Sequence, residues 1–390
     1  MTVRPGIEVL LRDRPQLLAG ARVGAVVHPA SLLPSLQHTA DAMHEAPELH
    51  LVSLFGPQHG ARGEKQDNMI ESRFYRDPDT GLPVHSLYSE TRRPTEEMLH
   101  DLDVLVFDLQ DVGTRVYTFI HTMAYCMQAC ACYGKAMVVL DRPNPINGDQ
   151  VEGNLLDPQF SSFVGLYPLP MRHGMTVGEL AILFNGEFGI GCDLTVVPMQ
   201  GWRRGDWFDQ TGLPWIMPSP NLPALESATV YPGMVLVEGT MVSEGRGTTR
   251  PFEIVGAPYV NARLLAERLN RLSLNGVRFR PVYFEPTFQK HAGEMCGGVQ
   301  IHVRDRRDFE PYLTGIMVIA TTRSLYPESF LWRQPPYEYE TRKMPIEILC
   351  GGERIPRMIE AGLSAEEFRL SWQNDVSAFA SKRTPYLLYE

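Results

Sequence analysis

No stretch of this chain is apolar for long enough to cross a bilayer. Its hydrophobic residues make up 44% of 390 positions but are dispersed, whereas a spanning helix needs ~20 in nearly unbroken order. The opening residues, MTVRPGIEVLLRDRPQLLAG, are interrupted by Arg and Asp before the apolar core of an export signal could form. The expected location is therefore cytoplasmic. Cysteine is scarce, with six residues in the whole chain, too few and too apolar in setting for a disulfide framework. Cys126, Cys130 and Cys132 fall on one helical run among Met and Ala, a pattern of buried thiols more than of a metal site. Cys296 and His291 lack a third ligand at suitable spacing. An excess of positive charge is missing too: 36 Lys and Arg face 46 Asp and Glu, for a net charge of -10, which excludes a general nucleic-acid binder. No GxGxxG follows a predicted strand and no Walker lysine is present, so neither a dinucleotide nor a nucleoside triphosphate is expected. There is no internal repeat, heptad run or low-complexity linker.

What is present alternates strands with helices. Strands are expected at Arg22 to Val27, from Leu51, at Val104 to Leu109, Lys135 to Leu140 and Leu194 to Pro198. Helices are expected at Ser35 to Glu45, Thr95 to Leu102, Thr118 to Tyr133 and Thr176 to Gly186. That alternation predicts an α/β fold with a parallel sheet, Rossmann-like in shape, covered on both faces. A length of 390 residues suggests two domains, divided as 1–227 and 228–390. Beyond that division a strand is expected at Met234 to Val237, a helix at Asn261 to Leu272, a strand at Val277 to Phe284 and another at Gly298 to Val303. Cys296-Gly297-Gly298 reads as a tight turn, and a long helix is expected over Asp308 to Ser324. The aromatic tail around Trp372 and Phe379 is expected to pack back on the body.

Three strands end in polar clusters: GPQHGARG after Phe55, DLQDVGTRVYTF after Phe107 and DRPNPINGDQVEG after Leu140. In open parallel sheets ligands lie beyond the carboxyl ends of the strands. If these strands are neighbours, Gln58, His59, Asp108, Asp111, Arg115, Asp141, Asn144 and Glu152 share one crevice. An Asp at a strand end taken alone is most often a helix cap. The proline-bounded loop LYPLPMRHG aims Arg172 and His173, with Arg172 able to grip a carboxylate, and Arg92 and Arg93 read as solvated. From Ser219 to Glu253 runs a long polar stretch whose loop EGTMVSEGRGTT holds Glu238, Glu244, Arg246 and Thr248 between glycines. Such a loop turns backbone N–H groups and carboxylates toward an oxygen-rich ligand.

In this order, LFGPQHG, DLQDVGTRVYTF, LDRPNPING with VEG, MRHGMTVGELA, SPNLP, VYPG, EGTMVSEGRGTTRPFE, GAP and CGGVQIHV resemble the YbbC/NamZ family of exo-β-N-acetylmuramidases. The resemblance runs from about Leu51 into the tail. It implies a Rossmann-like N-terminal domain, a smaller α/β C-terminal domain and an active site at their interface. It also implies release of N-acetylmuramic acid from the non-reducing end of peptidoglycan-derived saccharides without a cofactor. The partner is then a small saccharide, not nucleic acid or a membrane, with a homo-oligomer left open. Members of that family typically read GPEHG where this chain reads GPQHG, and that Glu is the family's leading candidate for the acid/base. Gln58 cannot deliver a proton. Glycoside hydrolysis normally uses two carboxyl groups, so an acid must come from elsewhere, Glu64, Asp67 and Glu71 being close in sequence.

As a hydrolase, the chain is expected to use Glu244 with Asp108 or Asp111, and Glu152 in reserve, while His59 orients a carboxyl or the leaving group. Arg115, Arg172 and Arg246 would hold the sugar's acid substituent or hydroxyls. Gln58, Asn144, His173, Asn221, Tyr231 and Thr248 would complete substrate binding, and Tyr117, Phe252 or Trp332 would stack on the ring. The alternative is a carbohydrate- or muropeptide-binding protein without turnover, which Gln58 suggests; a phosphate- or nucleotide-handling enzyme ranks last.

Overall fold

The computed structural model describes residues 2–63, 75–88 and 90–390. Seven strands form the main sheet: β1 (Arg22–Val27), β2 (His50–Gly56), β3 (Tyr75–Arg76), β4 (Pro83–Ser86), β5 (Val104–Asp108), β6 (Ala136–Leu140) and β7 (Asp193–Val197), in the order β3-β4-β2-β1-β5-β6-β7. Every pairing is parallel except β3 with β4. The chain grows outward from β1 in one direction and returns to grow in the other, so β1 and β5 flank the point where the order reverses. In β1, the five residues after Arg22 are all buried, as a central parallel strand covered on both faces requires.

The helices owe their limits to local chemistry. Phe119–Tyr133 stops at Gly134, whose left-handed φ of 64° lets its N–H reach Cys130 O. Val177–Glu187 starts with a capping box in which Thr176 and Glu179 exchange hydrogen bonds. A second, three-stranded antiparallel sheet, β8 (Ile254–Ala257), β9 (Val277–Phe284) and β10 (Cys296–Val303), lies in the order β8-β10-β9. Its helices Ala262–Arg271 and Pro311–Leu325 pack against one continuous apolar core that also takes in Phe107, Phe119 and Met123 of the first sheet's layer. The two halves thus share a core. Trp372 and Phe379 of the last long helix, Ala365–Arg383, are buried, and the tail ends with Tyr389 donating to Asp141 Oδ2 at 2.5 Å.

Two expectations from the sequence are corrected. Met234 to Val237 is no strand: the helix Leu225–Met234 runs on into a 3₁₀ turn, Val235–Gly239. Both faces of this segment are buried, so its apolar run has no periodicity to tell helix from strand. Cys296-Gly297-Gly298 is no turn but the start of β10. The glycines are there for close approach, since a Cβ on Gly297 would lie 2.1 Å from Val260 O and one on Gly298 2.1 Å from Val255 O. Other boundaries moved by a few residues, as with Thr39–Glu45 and Glu96–Leu99. No helix among the described residues is long and apolar enough to cross a membrane.

Candidate active site

The reversal point, where an α/β sheet ordinarily holds its ligand, is filled. His28 Nδ1 and Ser31 Oγ lie 2.9 Å apart, and the Ser31 hydroxyl donates to Asp108 O. Asp108 itself is fully buried, with Arg142 at 2.6 and 2.7 Å and the Thr39 hydroxyl at 2.5 Å. The open recess lies one strand further along, beyond β2. There the chain turns through Pro57, closed by Gly60 N donating to Pro57 O at 2.9 Å, and buries Gln58 and His59 with His59 at a left-handed φ of 74°.

Facing them across the domain boundary are Tyr231 from the helix Leu225–Met234, Glu238 from the 3₁₀ turn, Arg246 and Phe252 from the polar loop, and Tyr337 and Glu338 from a late turn. With Tyr117 they line one recess. Glu238 Oε1 is 2.8 Å from Arg246 Nη1, and its Oε2 accepts from the Tyr337 hydroxyl at 2.8 Å. Glu338 Oε2 accepts from the Tyr88 hydroxyl at 2.7 Å. That hydroxyl in turn accepts from Gln58 Nε2 at 3.2 Å, while Gln58 Oε1 accepts from Thr118 Oγ1 at 2.9 Å. Burial pushes the Glu338 carboxyl above its ordinary value, and the charge of Glu238 adds to the rise. Tyr117 OH and Arg246 Nε are buried without a hydrogen-bond partner among the described residues, two donors on the wall whose cost a ligand or water would offset. The recess is narrow, with about 40 Å³ of room, enough for a few water molecules at most.

Of the residues expected at the site, Gln58, His59, Tyr231 and Arg246 come together here, with Tyr117 and Phe252 beside them. The others do not. Glu244 stands behind Arg246, buried, with Lys290 Nζ at 2.8 Å and Arg246 Nη1 at 3.1 Å; burial would push its carboxyl up, but those two cations hold it at about 2. Asp111 accepts from Gly113 N at 2.7 Å and lies 3.3 Å from His173 Nε2. Glu152 accepts from Tyr312 N and Leu313 N at 3.2 and 2.8 Å, capping the helix Pro311–Leu325. Arg115 donates to the carbonyls of Asn154, Leu169 and Leu349, and Arg172 to that of Ile146. Asn144 bridges Met175 O and Ile146 N, and His173 Nδ1 accepts from Met175 N. Thr248 donates to Gly245 O inside its own loop. Asn221 is buried in the turn whose Ser219 and Leu222 reach the wall, and Trp332 donates to Glu360. The structure thus places each of these side chains outside the lining of the recess, for one physical reason: a polar side chain at a strand end or in a loop is as useful for capping, ion pairing and domain joining as for chemistry. Glu64, Asp67 and Glu71 lie outside the described residues.

A larger groove, of about 1080 Å³, lies between the domains past Trp207. Four of its charges pair, Arg306 with Asp209 at 3.0 Å and Arg250 with Glu253 at 3.4 Å, and among the described residues no orphaned buried donor lines it. The smaller recess, with two orphaned donors on its wall, is the candidate site. Among the described residues one acidic triad, Asp41, Asp77 and Asp79, has the spacing to hold an ion, and the Arg62 guanidinium occupies it, within 2.8, 2.8 and 3.4 Å.

The family models described as the N-terminal and C-terminal parts of exo-β-N-acetylmuramidase NamZ match residues 23–226 and 229–389. The chain belongs to the NamZ family. It is 48% identical over 387 residues to the peptidoglycan β-N-acetylmuramidase NamZ of Bacillus subtilis, covering 99% of this chain and 91% of that one. Two solved DUF1343 family proteins of Bacteroides fragilis superpose on it with TM-scores of 0.91 and 0.78 at 39% and 32% identity, each over 100% of this chain and 99% of the other. This NamZ-family chain is thus a glycoside hydrolase. Sequence reasoning passed over Tyr337 and Glu338 of this recess and Tyr88 behind it, while Glu238 was noticed in its loop, with Glu244, for proton chemistry or hydroxyl recognition but was left out of the expected catalytic set. The one signal for Glu338 was PPYEYE, where acids alternate with aromatics after two prolines.

Proposed function

We propose that the chain removes N-acetylmuramic acid from the non-reducing end of peptidoglycan-derived saccharides, and that it does so in the recess between Gln58 and Glu338. The observation that carries this is the meeting of two carboxyl groups, Glu238 and Glu338, from separate segments in one recess with different surroundings. Glu338 is buried and its affinity for a proton is raised; Glu238 is bound to a guanidinium. Environments that separate two carboxyls in this way suit one as general acid and the other as charged partner. Glu338 gives its proton to the glycosidic oxygen as the bond to the anomeric carbon breaks. Glu238 faces the positive charge that develops on the ring, water supplies the hydroxyl that replaces the leaving group, and the proton that this water loses restores the acid on Glu338.

Gln58 holds Tyr88 in place for Glu338 and takes no proton. The test is sugar release from a disaccharide and from a 4-nitrophenyl muraminide. Glu338→Gln should lower kcat about 10²- to 10⁴-fold on the disaccharide, and far less on the nitrophenyl glycoside, whose leaving group needs no proton. Equal losses on both, or none, would sink the assignment. Gln58 favours a second reading, saccharide binding without turnover. It stands if the wild-type chain binds muropeptide but leaves it intact and Gln58→Glu hydrolyses it.

The compartment we propose is a reducing one, such as the cytoplasm: all six thiols are free.

A further inference from the structure

N-acetylmuramic acid differs from N-acetylglucosamine by a lactyl ether that carries a carboxylate, so a muramidase needs a cation for it. The arginines expected for that task are committed elsewhere. Arg115 donates to three carbonyls, Arg172 to Ile146 O, and Arg246 is held by Glu238 and Glu244, so that among the described residues the one buried donor each keeps unmet is its Nε, a single donor that cannot form a two-bonded fork. Arg92 is different. Its guanidinium carbon lies 3.6 Å from the ring centre of Tyr339, 5.4 Å from that of Phe163 and 5.6 Å from that of Tyr88. Its Nε and Nη2 are both buried, and neither has a hydrogen-bond partner among the described residues. Those two atoms form the edge of a guanidinium that grips a carboxylate with two parallel bonds. Ring faces attract the cation but leave the in-plane donors unmet.

The position fits. Tyr88 bonds Gln58 and Glu338, both on the recess wall, so Arg92 is one side chain away from it. Tyr339, which lies over the guanidinium, follows Glu338 directly in a turn closed by paired hydrogen bonds between Tyr337 and Glu340 at 2.9 Å. Tyr339 is 44% exposed, and the recess beside it is too narrow for a pyranose as it stands. Displacement of this turn would widen the recess and uncover the Arg92 edge together.

We propose that Arg92 is the carboxylate-recognition residue of the site, binding the lactyl group of the muramic acid ring through Nε and Nη2 once the turn at 337–340 gives way. This rests on the functional reading above and adds to it the residue that separates a muramic from a glucosamine ring. Lys290 is tied to Glu244 and to two carbonyls, so it does not compete for the role.

Calorimetric titration with N-acetylmuramic acid and with N-acetylglucosamine tests it, on the full chain and on Arg92→Gln and Arg92→Lys, each first checked for an unchanged melting transition. The wild type is expected to favour N-acetylmuramic acid. Arg92→Gln should erase that preference, at least tenfold, while leaving N-acetylglucosamine binding within about twofold, and Arg92→Lys, with a point charge in place of a fork, should recover only part of it. If Arg92→Gln weakens both sugars equally, Arg92 only supports the turn and the proposal falls. It falls too if the preference survives in both variants, the functional reading being then untouched. If the wild type binds neither sugar, both the proposal and the functional reading fall.

Discussion

The Tyr88 hydroxyl lies 2.7 Å from Glu338 Oε2, a bond that spans 250 residues of sequence and joins the segment just after β4 of the first domain to the turn at 337–340 of the second. A donor to a carboxylate favours the charged form, so this bond opposes the rise that burial imposes on Glu338. Tyr88→Phe should therefore push Glu338 higher. As the acid of the reaction, Glu338 then stays protonated to higher pH, and the basic limb of the kcat/KM profile moves up. The kcat itself should fall several-fold, because the carboxyl loses the group that aims it. A profile whose basic limb stays in place would remove Glu338 from the role of acid.

Behind the wall, Glu244 and Lys290 form a buried pair at 2.8 Å. Removing one partner of such a pair leaves the other charge buried and uncompensated, which costs ~3–5 kcal/mol. Arg246 at 3.1 Å softens the loss, so Lys290→Met should sit at the low end of that range in urea unfolding at pH 7. The pH dependence has a definite sign. Glu244 is held at about 2 in the fold against an ordinary 4.5; its contribution is full above 4.5 and is lost as pH falls from there toward 2. The wild-type chain should lose stability over that window, and Lys290→Met should lose less of it. Parallel curves for the two would count against the pair.

The sheet was legible in the sequence because its strands are short apolar runs bounded by Gly, Pro and polar turns, and Arg22–Val27 and Val277–Phe284 fall where the pattern puts them. Met234 to Val237 was not, since a segment buried on every side carries no period. At the site, Gln58 and His59 were legible from the glycine-rich turn that delivers them. Glu338 was not, because what makes it matter is its burial against Tyr88 and Glu238, and those contacts are long-range. The partners of Asp108 and Glu152 were not legible for a related reason: position at a strand end or in a polar cluster does not distinguish a carboxylate aimed at a ligand from one bound to Arg142 or to the N–H groups of Tyr312 and Leu313.

Gly298 offers a test of the second sheet's packing. A Cβ there would lie 2.1 Å from Val255 O and 2.8 Å from Gly256 Cα, backbone atoms of β8 that cannot step aside alone. Gly298→Ala should destabilise by more than ~2 kcal/mol. Because Gly256 pairs with Ser243 through two hydrogen bonds at 2.8 and 3.1 Å, the strain passes to the loop that carries Glu244 and Arg246, and KM should rise with it. Thermal unfolding and a Michaelis curve on the same preparation check both, and an unchanged melting temperature would show that β8 and β10 are less tightly apposed than these distances require.

Glu152 makes the opposite prediction to Glu244. It is buried beneath the start of the helix Pro311–Leu325, and burial raises its carboxyl from 4.5 to about 7 despite the N–H groups of Leu313 and Tyr312. Between those values the folded chain keeps a proton that the unfolded chain has released, so the group's contribution is full below 4.5 and declines as pH rises to 7, levelling above it. Glu152→Gln cannot titrate, yet its amide oxygen still accepts from the helix terminus. The stability of the wild type minus that of the variant should therefore fall between pH 5 and pH 8, by up to ~3 kcal/mol. Asp141, also raised to about 7 by burial, titrates in both proteins and cancels in the difference. Chemical denaturation at four or five pH values across the window measures it, and a difference that stays flat would mean that Glu152 is charged throughout, paired more closely with Arg172 than burial allows.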